Sequence, residues 1–353
     1  MKILIILPSL LTGGGQKVAM DIAADDRNFL FLIIGKRENN QFTKSVESKH
    51  KVYYMNKELG FDLKIFHKIG KILDFEKPDV VHFHLAVSLY GLIPCWLRKI
   101  KTVYTFHTIA SKDSEGLVRW LCRLGIKLGG MVPVAITETV RESIQEMYNI
   151  SQVEMIYNGI DLQKYYKVPF IDPENVQLIA IGQIWEAKNH HFLVDVMRMI
   201  KISCPKKHYK LVILGDGPLR QSLEEYINQS GVNDIIELKG NVNNVEDYLA
   251  RSNIFVISSR YEGLSLATME AMASSLPVVS LNVGGMKDLV SDNGYLVEFG
   301  DVEEFTKKVL ILGENEVLQE KMGTRSKEKV KKYGKQQMRV AYLNLYRRIN
   351  EVS

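Results

Sequence analysis

Ile254-Phe255-Val256-Ile257-Ser258-Ser259-Arg260-Tyr261-Glu262-Gly263-Leu264-Ser265-Leu266-Ala267-Thr268-Met269-Glu270 decides how the chain folds. The apolar run Ile254 to Ile257 reads as a buried strand, Ser258 to Tyr261 ends it, and a helix follows. Glu262 then lies just past the carboxyl end of the strand, and Glu270 about two turns into the helix. Carboxylates accept hydrogen bonds from vicinal hydroxyls, Gly263 lets backbone approach closely, and the helix start offers free amides to an anion. A sugar carrying a phosphate fits this array. Two glutamates at this spacing also suit an ordinary helix surface, so the rest of the chain has to decide.

The same rhythm runs through the whole sequence. Strand-like runs at Ile3–Leu7, Phe29–Ile34, Val52–Met55, Val80–Phe83, Lys101–Phe106 and Val132–Ile136 are separated by helical patterns, which predicts parallel strands joined by crossover helices. A second set follows at Gln177–Ile181, Lys210–Leu214, Ile235–Lys239, Ile254–Ile257, Val278–Ser280 and Gly294–Val297. The expected class is α/β, with two doubly wound, Rossmann-like domains facing across a cleft and ligands beyond the carboxyl ends of the strands. Val168-Pro169 and Asp172-Pro173 punctuate an aperiodic segment, so the domains are expected at 1–165 and 166–335. A final helical pattern covers Gln336–Ile349, with Met338, Ala341, Tyr342, Leu345 and Tyr346 on it.

Further along the chain stand Gly13-Gly14-Gly15 after the first strand, Tyr157-Asn158-Gly159-Ile160-Asp161 near the middle and Lys188-Asn189 after the Ile179–Gly182 run. Gly215-Asp216-Gly217-Pro218, Gly284-Gly285 and Asn293-Gly294-Tyr295-Leu296-Val297 complete the order. With Glu262 and Glu270 as a Glu-x7-Glu motif, this series resembles the retaining glycosyltransferases of family 4 (GT4), of GT-B architecture, over almost the whole chain. The resemblance implies transfer of a sugar from a nucleotide-diphosphate-sugar to an acceptor hydroxyl. It also implies no cofactor and no metal, a UDP-sugar ahead of a GDP-sugar, and a lipid-linked or saccharide acceptor in cell-surface polysaccharide or glycolipid biosynthesis. The first domain would be the acceptor side, the second would bind the nucleotide-sugar, and helix 336–353 would pack back on the first.

The same resemblance supplies residue roles. Glu262 would lie near the donor sugar, with Gly263, Leu264 and Ser265 giving backbone contacts to sugar and diphosphate. Glu270 would bind the ribose hydroxyls, Asn241 and Val242 the nucleobase, and Gly14 and Gly15 would floor the site beside the donor phosphate. Gly215 belongs to the donor site as well. His107, after the strand Lys101–Phe106, would contact the donor sugar or order the reacting groups. An ammonium at Lys188 can neutralise a diphosphate leaving group as the glycosidic bond breaks. The family usually carries Arg-x4-Lys here. Gln183 stands in the arginine's place, leaving one positive charge to be found elsewhere, with Arg260 a candidate. That departure supports an alternative, a weakly active or inactive nucleotide-sugar-binding partner subunit of another glycosyltransferase.

Several residues keep two readings. The Gly13-Gly14-Gly15 loop lacks the dinucleotide Gly-x-Gly-x-x-Gly spacing, since position 18 is Val, and also fits a tight turn. His82 and His84 share a strand face by alternation, which suits a metal pair, a cleft-edge residue or plain core histidines, with no nearby cysteine or carboxylate to complete a ligand set. Asp216 fits a turn residue or a ligand equally well.

At 353 residues, with 46% hydrophobic and 25% charged, the chain can bury two cores. Cys95, Cys122 and Cys204 lack metal-ligand spacing and suit a reduced, cytoplasmic setting. The apolar start Ile3–Leu11 leads into a strand-turn-helix pattern without a cleavage site, so no signal peptide is expected. The excess of 46 Lys/Arg over 41 Asp/Glu lies in residues 1–160. Within it, Arg98, Lys99, Lys101, Lys112, Arg119, Arg123 and Lys127 accompany Trp96, Leu117, Trp120, Leu121 and Leu124. Region 96–127 could therefore meet an anionic membrane surface as a peripheral contact at the inner face, or bury Leu117, Leu121 and Leu124 in a core. Nucleic acid is not an expected partner, since no binding motif accompanies the charge.

Overall fold

The computed structural model describes all residues except 12, 59, 86, 114–115, 169–174, 206 and 352–353. The chain forms two compact units, one comprising Met1–Gly159 with Lys335–Ser353, the other Ile160–Gly334. Val168-Pro169 and Asp172-Pro173, the punctuation read as a linker, fall partly outside the described residues.

The first unit contains β1 (Ile3–Leu7), β2 (Phe29–Ile33), β3 (Lys51–Tyr54), β4 (Val80–His84), β5 (Lys101–Phe106), β6 (Val132–Ala135) and β7 (Glu154–Met155). They pair in the order β3-β2-β1-β4-β5-β6-β7, every pair parallel. Strands β1, β2 and β4 are buried throughout, β1 and β2 as the continuous apolar runs expected when helices cover both faces of a sheet and β4 with two histidines among its five residues. The connecting helices bury one stripe each; Lys64–Glu76, for example, seats Ile65, Ile69 and Leu73. Strand β7 was not legible in the sequence, because two half-buried residues show no periodicity. The other expected strands occur with ends shifted by a residue or two.

In the second unit, β8 (Asn175–Ile181), β9 (His208–Leu214), β10 (Ile236–Gly240), β11 (Ile254–Ile257), β12 (Val278–Leu281) and β13 (Gly294–Val297) form a second parallel sheet, ordered β10-β9-β8-β11-β12-β13. Both sheets therefore reverse their winding direction at the central pair, β1/β4 in one and β8/β11 in the other, where doubly wound sheets bind ligands. The chain enters and leaves the second unit side by side: Ile160 N–H donates to Tyr333 O at 2.9 Å, and Ile160 bridges to Gly334.

The last helix, Lys335–Glu351, belongs to the first unit and buries Met338, Tyr342, Leu345 and Tyr346. Its two tyrosines reach into the sheet. Tyr346 Oη is 2.6 Å from His82 Nδ1, Tyr342 Oη is 2.9 Å from Thr105 Oγ1, and that same Oγ1 lies 2.8 Å from His82 Nε2. Arg339 Nε adds a bond to Ile22 O at 3.2 Å, and Arg348 pairs with Glu154 at 2.6 Å. His82 is fully buried, and burial, followed by the nearby His107, lowers its pKa well below the ordinary histidine value, so a neutral ring is what these hydroxyls bind. Tyr346→Phe should strip one partner from this buried imidazole and lower the unfolding free energy by about 1–3 kcal/mol. A shift of the denaturant midpoint at unchanged slope is the expected reading, and an unshifted midpoint would contradict it.

Candidate active site

The candidate residues of the second unit follow strands at the carboxyl edge of its sheet, Lys188 and Glu262 after the central pair β8/β11, Gly215 after β9 and Asn241 and Val242 after the edge strand β10, with Glu270 on the helix behind Glu262. After β8 the chain passes Gly182 and an exposed Gln183 into a single 3-10 turn, Glu186–Lys188. Lys188 Nζ points at Glu262 Oε1, 2.5 Å away, with both side chains mostly withdrawn from solvent. Ser259 Oγ donates to the same oxygen at 2.6 Å. Ser258 Oγ ties the two loops together through Lys188 O at 2.9 Å and Asn189 O at 3.0 Å, and Arg260 N–H donates to Ala187 O at 2.8 Å. Oε1 of Glu262 thus holds two donors, while Oε2 has no hydrogen bond among the described residues.

Glycines allow these loops to close on one another. Gly215, after β9, has φ +136°, and a Cβ there would lie 2.0 Å from Gly182 O. Gly284, after β12, has φ +49°, and its Cβ would lie 2.0 Å from Glu262 O, which also accepts from Gly285 N–H at 3.1 Å. Only a residue without a side chain fits either position, so the Gly284-Gly285 turn clamps the backbone of Glu262.

Gly263, Leu264 and Ser265 are buried between Glu262 and the helix Leu266–Ala273, whose N-cap is Ser265, accepting from Thr268 N–H at 3.3 Å. Glu270 lies on this helix, 6% exposed, and receives a side-chain hydrogen bond from Tyr165. Burial first, then the Glu270 charge, pushes the Tyr165 phenol well above its ordinary value, so it stays protonated and donates. Asn241, exposed, and Val242 follow β10, whose Gly240 O accepts from Gly215 N–H at 2.8 Å. Arg260 does not make up for Gln183: its guanidinium lies over the Phe299 ring at 5.6 Å. Asp216 behaves as a turn residue, accepting from Gly217 N–H at 2.8 Å. A concavity of about 300 Å³ lined by Gln177, Glu237, Lys239, Tyr248 and Arg251 contains none of the candidate residues.

In the first unit, Gly14 and Gly15 open the helix Gly14–Ala23 directly after the β1 loop. Gly15 is buried, and a Cβ there would press on Leu85 at 2.9 Å. His107 follows β5, half-buried, with Nε2 2.8 Å from Nδ1 of the fully buried His84. The His82 ring packs tilted against His84 with centroids 4.0 Å apart and spends both ring nitrogens on Tyr346 and Thr105, which suits core histidines better than a metal pair. Among the described residues no group of three His, Cys, Asp or Glu could hold a metal ion. Burial lowers the pKa of His107 to about 4, and it raises the Asp113 carboxyl to about 7 against hydrogen bonds from Tyr104 Oη, at 2.5 Å, and the His107 backbone.

Sequence reasoning missed Tyr165, Ser259 and Asp113. An aromatic in an aperiodic segment, a serine in a loop and an acid in a short turn carry no periodic signal, and their roles depend on long-range contacts.

Comparison with known proteins agrees with this architecture. The family model for Glycosyltransferase Family 4 matches residues 16–164, and that for Glycosyl transferases group 1 matches residues 175–315. An N-acetyl-alpha-D-glucosaminyl L-malate synthase of Bacillus anthracis is 26% identical over 288 residues, 76% of this chain and 74% of that protein. The Escherichia coli UDP-Gal:alpha-D-GlcNAc-diphosphoundecaprenol alpha-1,3-galactosyltransferase is 25% identical over 280 residues, 73% of this chain and 72% of the other. Anabaena HepE, solved in complex with UDP, superposes with a TM-score of 0.84 at 18% identity, covering 99% of this chain and 100% of that one. With one model on each unit and the two-sheet GT-B architecture throughout, the chain belongs to the group 1 glycosyl transferases of family 4 and is a glycosyltransferase.

Proposed function

We propose that this glycosyltransferase takes a UDP-sugar as donor and transfers the sugar, with retention at the anomeric carbon, to a hydroxyl of a lipid-linked or saccharide acceptor. The observation that carries the reading is the Lys188–Glu262 pair at the β8/β11 switch point, backed by the buried segment Gly263 to Ser265 that leads into the helix Leu266–Ala273. Support for the donor comes from Anabaena HepE, solved with UDP, and from the Escherichia coli relative, named for UDP-Gal and a diphosphoundecaprenol acceptor.

In this reading the second unit holds the donor. The Lys188 ammonium neutralises the diphosphate as the C–O bond to the sugar breaks, and the electron pair leaves with the phosphate oxygen. Glu262 accepts from sugar hydroxyls through the oxygen that Lys188 and Ser259 leave available. Glu270, steadied by Tyr165, binds the ribose hydroxyls, and Asn241 and Val242 border the base. His107 is assigned to the sugar and the first unit to the acceptor, whose oxygen attacks on the face from which the diphosphate departs. Leaving-group stabilisation and orientation carry the reaction, not a pair of opposed carboxylates. Gln183 brings no charge and Arg260 is turned onto Phe299, so neutralisation rests on Lys188 and backbone amides. An intact Lys188–Glu262 pair favours a transferase over a partner subunit with little activity.

The acceptor's lipid would bring the protein to an anionic membrane surface. The helix Gly116–Lys127 exposes Leu117 at 56% and Trp120 at 55% beside Arg119 and Arg123, while helix Ser88–Leu97 ends in exposed Trp96 and Leu97. Leu117 therefore does not join Leu121 in the core, against the core-face alternative. No helix among the described residues is long and apolar enough to cross a membrane.

Four outcomes test this reading. Titrating UDP, GDP and ADP against thermal unfolding should raise the midpoint with UDP, a ligand at 100-fold its Kd adding about 2.7 kcal/mol. Glu270→Ala should abolish that rise, and a rise with GDP alone would overturn the donor assignment. Lys188→Ala should lower kcat about 10²- to 10³-fold and weaken the stabilisation by UDP, whose diphosphate is the leaving group that the ammonium neutralises; unaltered turnover would remove the ammonium from the mechanism. The protein should sediment with phosphatidylglycerol vesicles at low ionic strength, less so in high salt and less in Trp120→Ala, whereas no binding at low salt rules the surface out.

A further inference from the structure

His84 closes β4 and His107 follows β5, with Nδ1 of the first 2.8 Å from Nε2 of the second and the rings 5.1 Å apart at 30°. One of these two nitrogens must carry the proton of that bond. Burial, with the neighbouring histidines adding to it for His84, keeps both rings neutral, so each has one N–H and one lone pair.

The other nitrogen of His84 selects between the two arrangements. His84 Nε2 is buried and has no hydrogen-bond partner among the described residues. The adjacent His82 cannot serve it, because both of its ring nitrogens are taken by Tyr346 and Thr105. If His107 Nε2–H donated, His84 would have to protonate Nε2 and strand a buried N–H without an acceptor, which folded proteins avoid more strictly than an unused lone pair. If His84 Nδ1–H donates, only a lone pair is left idle. His107 then accepts at Nε2 and carries its own proton on Nδ1, a nitrogen with no bond to the protein among the described residues.

We propose that His84 is a positioning residue that locks His107 in the Nδ1–H tautomer, so that His107 presents a bound substrate with a hydrogen-bond donor and not a base. The tautomer stands on the geometry alone; its consequence for catalysis rests on the function proposed above. His82 supports the arrangement, its ring tilted against His84 at 4.0 Å and pinned by the C-terminal helix.

Two-bond ¹H–¹⁵N correlation on ligand-free, ¹⁵N-histidine-labelled protein at neutral pH reads the tautomer directly, with His107→Gln identifying the signals. Nδ1 of His107 should show the protonated, pyrrole-type shift and Nε2 the acceptor type; the reverse pattern overturns the proposal. Asn at position 84 can place an amide N–H where Nδ1 stood, whereas Leu cannot. His84→Leu should mix the His107 tautomers and lower kcat/KM about tenfold, the loss of one well-placed hydrogen bond, while His84→Asn keeps the tautomer and most of the activity. Equal losses in the two variants, each still stabilised by UDP, would overturn the positioning role. Should the tautomer be as stated while the wild type transfers no sugar, the functional reading fails and the tautomer stands.

Discussion

Parallel strands covered on both faces can change direction only at their ends, and this constraint organises both units. Each connection must leave the sheet, cross a face as a helix and return, so polar and glycine-rich residues are expelled to the two edges of the sheet. At the central pair the crossovers diverge to opposite faces, which opens the carboxyl edge there. Lys188 and Glu262 follow the two central strands of one sheet, and Gly14 and His84 mark the central strands of the other.

What stands in that opening is held by two different kinds of contact. In the second unit it is backbone against backbone: Gly215 lies on Gly182, and Gly284 on Glu262, closer than any Cβ would allow. Loops fitted this tightly hold the Lys188–Glu262 pair, with buried Ile184 and Leu264 anchoring them in the interior. In the first unit it is a buried polar chain, from Tyr346 and Tyr342 through His82 and Thr105. Such a chain is stable in a low-dielectric interior only when its members are satisfied, and the last helix provides the hydroxyls that satisfy it.

The strands were legible because each is an apolar run bounded by turn residues, and all but one could be placed within about two residues. Strand β7 escaped since Glu154-Met155 is too short to show a pattern. Glu262, Glu270, Lys188 and the glycines were legible as a spaced series. Tyr165, paired with Glu270, and Ser259, paired with Glu262, were not, because a single hydroxyl in a loop has no periodicity and its partner is chosen by folding. The two readings of Leu117 were separated only by packing, which exposes it while burying Leu121.

By itself, the sequence determined the order of strands and helices, the parallel class of the sheets and the loops that carry chemistry, since these follow from local periodicity and turn composition. Tertiary structure alone decided that Arg260 turns to Phe299, that the final helix ties into His82, and which nitrogen of His107 faces outward. Those outcomes depend on hydrogen bonds and ring contacts between residues up to 264 positions apart. No local pattern encodes them, because each partner is brought into reach only when the sheet has formed.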